Sequence, residues 1–98
     1  MICVIADIRI RPESHEVFFA AARDMLAATR SEDGCIRYNL VQNIEDPEHL
    51  TFDEEWESRE HLSAHFETAH MAVWRAASAP HLVDRKVKIL HVGDVEIL

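Results

Sequence analysis

Glycine is scarce: Gly34 and Gly93 are the only two in 98 residues. A glycine-rich loop that cradles phosphate is therefore absent, which argues against a dinucleotide or nucleoside triphosphate site. Cysteine is equally thin, since Cys3 and Cys35 are too few for a disulfide scaffold. In the fold expected below, another strand separates theirs and leaves them roughly 9–10 Å apart. That exceeds disulfide reach, so both are expected as buried or interface thiols. Basic residues number 10 against 18 acids, giving a formal net charge of -8. Nucleic acid is thus not an expected partner, because phosphate binding needs a basic surface. No apolar run approaches the roughly 20 residues of a membrane span, so no membrane partner is expected either. Met1 to Arg11 lacks a basic leader and a small-residue cleavage site; it reads as a strand, and the expected location is cytoplasmic.

The hydropathy pattern of what remains describes one domain, residues 1–98. Ile2, Val4, Ala6, Ile8 and Ile10 alternate with Cys3, Ile5, Asp7 and Arg9, as in a half-buried strand that Pro12 ends. From about Glu13 to Arg30, Val17, Phe18, Ala21, Ala22, Met25, Leu26 and Thr29 follow helical spacing. Gly34 then supplies a stop after Glu32-Asp33. A second strand is expected over 35–43, with Ile36, Tyr38 and Leu40 on one face. Glu45-Asp46-Pro47-Glu48 reads as a turn. A third strand, about 50–56, brings Phe52, Glu54 and Trp56 together. Ser58 caps a helix to about Glu67, and Thr68 caps a short turn through Ser78. Pro80 breaks it, and Arg85 to Val92 forms the last strand.

The order β-α-β-β-α-β is the α+β ferredoxin-like unit: an antiparallel sheet with its helices on one face. The other face would show Cys3, Ile5 and half of the later strands. A partly apolar face of that size is seldom left to water. The expected remedy is a homodimer packed face to face through the uncovered sheet, a dimeric α/β barrel.

Chemistry concentrates between Glu54 and Trp74. Eight acids face a single base, Arg59, between Glu45 and Glu60; most of them read as a solvated face around one buried glutamate. Leu62, His65 and Phe66 fall at i, i+3 and i+4, so His65 should look inward towards Glu54 and Trp56. His61 sits one turn earlier, at the rim. His70, Trp74 and Ala77 share the next stripe, with Met71 beside it. Should the two short helices stand off the sheet, a pocket opens with walls of Ala6, Ile8, Phe52, Phe66, Met71 and Trp74. Its polar groups would be Tyr38, Glu54, His65 and His70. Convergent polar groups on an apolar surface mark a small-molecule site. A hydrogen-bonded core histidine and core tryptophans are the plainer alternative. His61 and His65 lie four apart, with Glu57 four before, but no third metal ligand appears at a recognised spacing and the His-Glu-x-x-His signature is absent.

These residues also form a familiar pattern. Val4-Ile5-Ala6-Asp7-Ile8-Arg9, Glu32-Asp33-Gly34-Cys35-Ile36-Arg37-Tyr38 and Glu54-x-Trp56-Glu57-Ser58 carry it, followed by His61-Leu62-x-Ala64-His65 and Thr68-x-His70-Met71. On them the chain resembles the antibiotic biosynthesis monooxygenase family of small dimeric ferredoxin-like proteins, most closely its quinol monooxygenase branch. The resemblance implies a monooxygenase that uses dioxygen on a small aromatic phenol or quinol, with no cofactor, neither metal nor flavin. His65 would be the base or hydrogen-bonding group, with His70 as alternate or partner. Trp56, Phe66, Met71 and Trp74 would wall the ring, and Tyr38 and Glu54 would orient it.

Other branches match less well. Haem-degrading members carry an asparagine, a tryptophan and a histidine where this chain has, approximately, Ile8, His65 and Arg75. An isoleucine cannot hydrogen-bond an iron-bound ligand. An isomerase branch handles a phosphorylated sugar; Arg9, Arg37 and Arg75 could serve it, but the local acidity counts against it. Outside catalysis, a dimeric binding protein that sequesters a hydrophobic metabolite would keep the aromatic pocket without needing a titrating base.

Overall fold

The computed structural model describes residues 1–98. Strand β1 (Ile2–Ile10) leads through a 3-10 turn (Pro12–Ser14) into helix α1 (His15–Arg30). Strands β2 (Cys35–Asn43) and β3 (Asp46–Trp56) form a hairpin, followed by helices α2 (Arg59–Phe66) and α3 (Ala69–Ser78). A second 3-10 turn, Ala79–His81, precedes strand β4 (Leu82–His91). The four strands make one antiparallel sheet in the order β2-β3-β1-β4. The fold is the expected ferredoxin-like one, with its second helix divided in two. No helix is long and apolar enough to cross a membrane.

Strand register explains the core. Ile2, Val4, Ala6 and Ile8 stand opposite Trp56, Glu54, Phe52 and Leu50, so these two rows face the helices together. Phe18, Leu50, Trp56 and Leu62 are fully buried, and burial of each such side chain contributes about 1.5–3 kcal/mol. Helix α1 turns Phe18, Ala22, Met25 and Thr29 inward, whereas Val17, expected on that stripe, is exposed.

The structure differs from the expected elements at three places. A bulge between Cys35 and Arg37 lets Cys35 oppose Trp56, while Tyr38 and Leu40 oppose Glu54 and Phe52. Ile36 is the extra residue, and it points to solvent instead of sharing a face with Tyr38. The Glu45–Glu48 segment is not one turn, since β3 already starts at Asp46. Pro47 fits there because the register shifts between Gln42 and Asn43, so no ladder N–H is required of it. The last strand begins earlier than expected, at Leu82.

The helix-free face of the sheet mixes ion pairs with apolar side chains. Arg37 pairs with Asp53 and Glu55, Arg9 with Asp46, and Asp7 accepts from His49 and Thr51. Its apolar members are Cys3 and Ile5, half-buried, and Val41 and Leu90, exposed.

Gly34 holds the connection from α1 to β2 in a left-handed conformation, φ 81°. Its carbonyl accepts from the Glu57 N–H (2.9 Å), tying the loop to the end of β3. A Cβ built on Gly34 would fall 2.2 Å from Cγ of His61. Gly34→Ala is therefore expected to cost about 2–4 kcal/mol, combining backbone strain with overpacking. In a His61→Ala background the cost should fall but stay above the backbone part of about 1 kcal/mol, because the Cβ that alanine keeps at position 61 lies 2.7 Å from the added methyl. Urea unfolding of the four proteins measures both; a single-variant cost below about 0.5 kcal/mol contradicts this account of the loop.

Candidate functional site

The two short helices begin at side-chain caps. Ser58 Oγ accepts from the His61 N–H, and Thr68 Oγ1 from the Met71 N–H. These caps fix the rotation of each helix. Leu62 and His65 of α2, and Met71, Trp74 and Ser78 of α3, then face the sheet. Between them and the sheet lies a cavity of about 530 Å³, within the roughly 300–1,000 Å³ range of small-molecule sites. Val4, Ala6, Ile8, Phe52, Phe66, Met71 and Trp74 supply apolar wall; Tyr38, Glu54 and His65 supply polar groups.

His65 is 1% exposed. Its ring lies 4.8 Å from that of Trp56 and 5.3 Å from that of Tyr38, centroid to centroid. It looks inward as expected, but its hydrogen bond goes to Glu32 rather than to Glu54. His65 Nδ1 donates to Oε2 of Glu32 at 2.6 Å. A carboxylate at Nδ1 places the proton there and leaves the Nε2 lone pair free. No buried side-chain nitrogen or oxygen lacks a partner; Nε2, which has none, is therefore reachable from the cavity the residue lines. Burial lowers the His65 pKa below its ordinary 6.5, against an opposing pull from Glu32. The ring is thus neutral at pH 7, the state a base requires.

His70 does not line the cavity. Its Nε2 donates to the same Glu32 oxygen at 2.8 Å, from a half-buried position behind His65. Trp56 also stands outside the wall, fully buried beneath Glu54 and His65. Its indole N–H donates to Glu54 Oε1 at 3.0 Å. His61 bonds Ser58 and turns towards Asp33, away from the cavity.

Glu54 is 5% exposed on the cavity wall. Burial raises its pKa to about 7, although the Trp56 N–H and the Tyr38 hydroxyl both favour its charged form. Tyr38 moves well above its usual value, first by burial and then by the nearby Glu54 charge. At neutral pH the wall therefore offers a carboxyl poised between donor and acceptor, a phenol that stays protonated and a neutral imidazole. Such a set can take a proton from a phenolic hydroxyl and hold the anion formed.

Sequence reasoning missed Glu32 as a site residue. It reads as an acid before a glycine stop, and its contacts lie 33 and 38 residues away. Glu32, His65 and His70 also supply the third ligand that helix spacing did not display: their donor atoms lie within 4.8 Å of one another. Separations of 2.6 and 2.8 Å are hydrogen-bond lengths; ligands on a tetrahedral zinc ion stand about 3.3 Å apart. The cluster is arranged as a shared-proton network. Asp33, Glu57 and His61 form a second, more exposed group.

The three arginines considered for a phosphate do not assemble. Arg9 and Arg37 lie on the helix-free face, paired with acids, and only Arg75 lines the cavity. Arg85 and Ser78, not singled out from the sequence, line it as well.

Comparison with known proteins bears on the family and the fold. The family model described as antibiotic biosynthesis monooxygenase matches residues 1–77. A protein of Escherichia coli K12 named probable quinol monooxygenase YgiN is 28% identical, over 95% of this chain and 99% of its own. A solved structure described as an antibiotic biosynthesis monooxygenase superposes with a TM-score of 0.89 at 30% identity, covering 96% of this chain and all of that one. A conserved protein of Methanosarcina mazei gives a TM-score of 0.88 at 29% identity, over 91% of this chain and 89% of its own.

Proposed function

Since this chain belongs to the antibiotic biosynthesis monooxygenase family, we propose that it is a cofactor-independent monooxygenase of a small aromatic phenol or quinol. The observation that carries this reading is His65, with Nδ1 bound to Glu32 and Nε2 open to an apolar cavity. On this reading a quinol enters between Phe52, Phe66 and Trp74 with one hydroxyl at His65 Nε2. The imidazole takes that proton, and Glu32 steadies the positive charge that results. Tyr38 and Glu54 hold the ring oxygens.

The quinolate gives one electron to dioxygen, and the radical pair joins at a ring carbon as a hydroperoxide. Loss of water from it leaves a hydroxyquinone. One oxygen atom enters the product, the other leaves as water, and the quinol supplies both electrons, so no further reductant is required. The apolar walls limit water around the anion, which strengthens each polar contact.

The same reading makes the protein a homodimer in the cytoplasm. Nothing in the chain covers the helix-free face, where Cys3, Ile5, Val41 and Leu90 lie; Ile97 and Leu98 of the tail are also exposed. Two free thiols suit a reducing compartment. Light scattering at micromolar concentration is expected to give the mass of two chains, and a mass of one chain refutes the dimer. Oxygen uptake with simple quinols, in metal-free buffer, tests the activity. Uptake matched by hydroxyquinone formation supports it, and rates equal to the buffer background overturn it.

A further inference from the structure

The cavity mouth carries charge that neither the base nor the ring walls use. Arg75 on α3 and Arg85 on β4 both line it. Arg85 stands opposite Ile8, whose side chain is in the core, so it lies on the helix side of the sheet. The neighbouring Asp84 carboxylate accepts from the Arg85 backbone N–H, and the guanidinium itself has no acidic partner. The Arg75 guanidinium donates to the Phe66 carbonyl and likewise forms no ion pair. Arg9 and Arg37, by contrast, are each neutralised by carboxylates on the opposite face. Glu54 is the only carboxylate on the cavity wall. A chain of net charge -8 thus turns two unneutralised cations towards one cavity. Guanidinium groups match planar oxyanions, which they bind through paired N–H donors.

We propose that the ring bound in this cavity bears an anionic substituent, a carboxylate in the simplest case, held at the mouth by Arg75 and Arg85 while its hydroxyl meets His65. This deepens the quinol reading and rests on it. Placing the anion at the mouth also keeps it away from Glu54, so one ring orientation is selected.

Anaerobic calorimetry tests binding apart from turnover, using hydroquinone, gentisate (the same ring with one carboxylate) and neutral gentisamide. Gentisate is expected to bind the native protein about tenfold or more tightly than the other two. Arg75→Gln and Arg85→Gln should each reduce that preference to about threefold or less while leaving hydroquinone affinity unchanged, which also reports an intact fold. Raising salt from about 50 to about 300 mM should weaken gentisate alone. Equal affinity for gentisate and gentisamide, or a preference that survives both substitutions, overturns the anion subsite and leaves the ring site standing. Failure of all three to bind overturns both.

Discussion

His65→Ala is expected to lower kcat/KM for quinol oxygenation by roughly one hundred to ten thousandfold, the usual contribution of a positioned base. Its Nε2 is the one unpaired imidazole nitrogen on the cavity wall. His70→Ala should cost less than about tenfold, because His70 reaches the site only through Glu32. Glu32→Gln separates positioning from packing. The amide retains the shape but not the charge that raises the His65 pKa. The acid limb of the pH–rate profile, already below 6.5, should therefore move lower still. Steady-state kinetics from pH 5 to pH 8 read all three variants, with circular dichroism as a check on folding. A His65→Ala enzyme within about threefold of the parent contradicts the assignment.

Glu54→Gln should be more stable than the parent at pH 8, by up to about 3 kcal/mol. The folded chain holds this proton until about pH 7, whereas the ordinary carboxyl value is 4.5. Between those values the native state binds more protons than the unfolded one, so stability falls as pH rises. Above pH 7 the full cost of a buried charge is present, and a glutamine in its place avoids it. The advantage should shrink towards zero near pH 4.5. His65 acts in the opposite sense: its lowered pKa means stability is lost as pH falls below 6.5. Urea unfolding at pH 5 and pH 8 measures the Glu54→Gln difference. A gap of equal size at both pH values would show that burial does not govern this carboxyl.

The parts of this protein legible in the sequence are those set by neighbours along the chain. Alternation in β1 and helical spacing in α1 follow from residues a few positions apart. Ser58 and Thr68 announce the two short helices because a cap acts on an N–H three residues ahead. His65 follows Leu62 by three, and its inward direction was readable for the same reason. Glu32 was not, because its meeting with His65 and His70 depends on the left-handed turn at Gly34 and on where α2 lands. Arg85 was hidden for a related reason: its face depends on the pairing of β4 with β1, which local pattern leaves open. Trp56 shares a strand face with Glu54, yet His65 covers it; alternation gives the face and not what lies above it.

The central claim is that a phenolic oxygen meets His65 Nε2 inside the cavity beneath α2 and α3. A crystal structure with a redox-inert phenol, such as a halogenated 4-hydroxybenzoate, tests this most directly. The ring should lie against Phe52 and Trp74, with its hydroxyl within about 3 Å of Nε2. A ring bound elsewhere, or a cavity filled by collapsed side chains at saturating ligand, would contradict it.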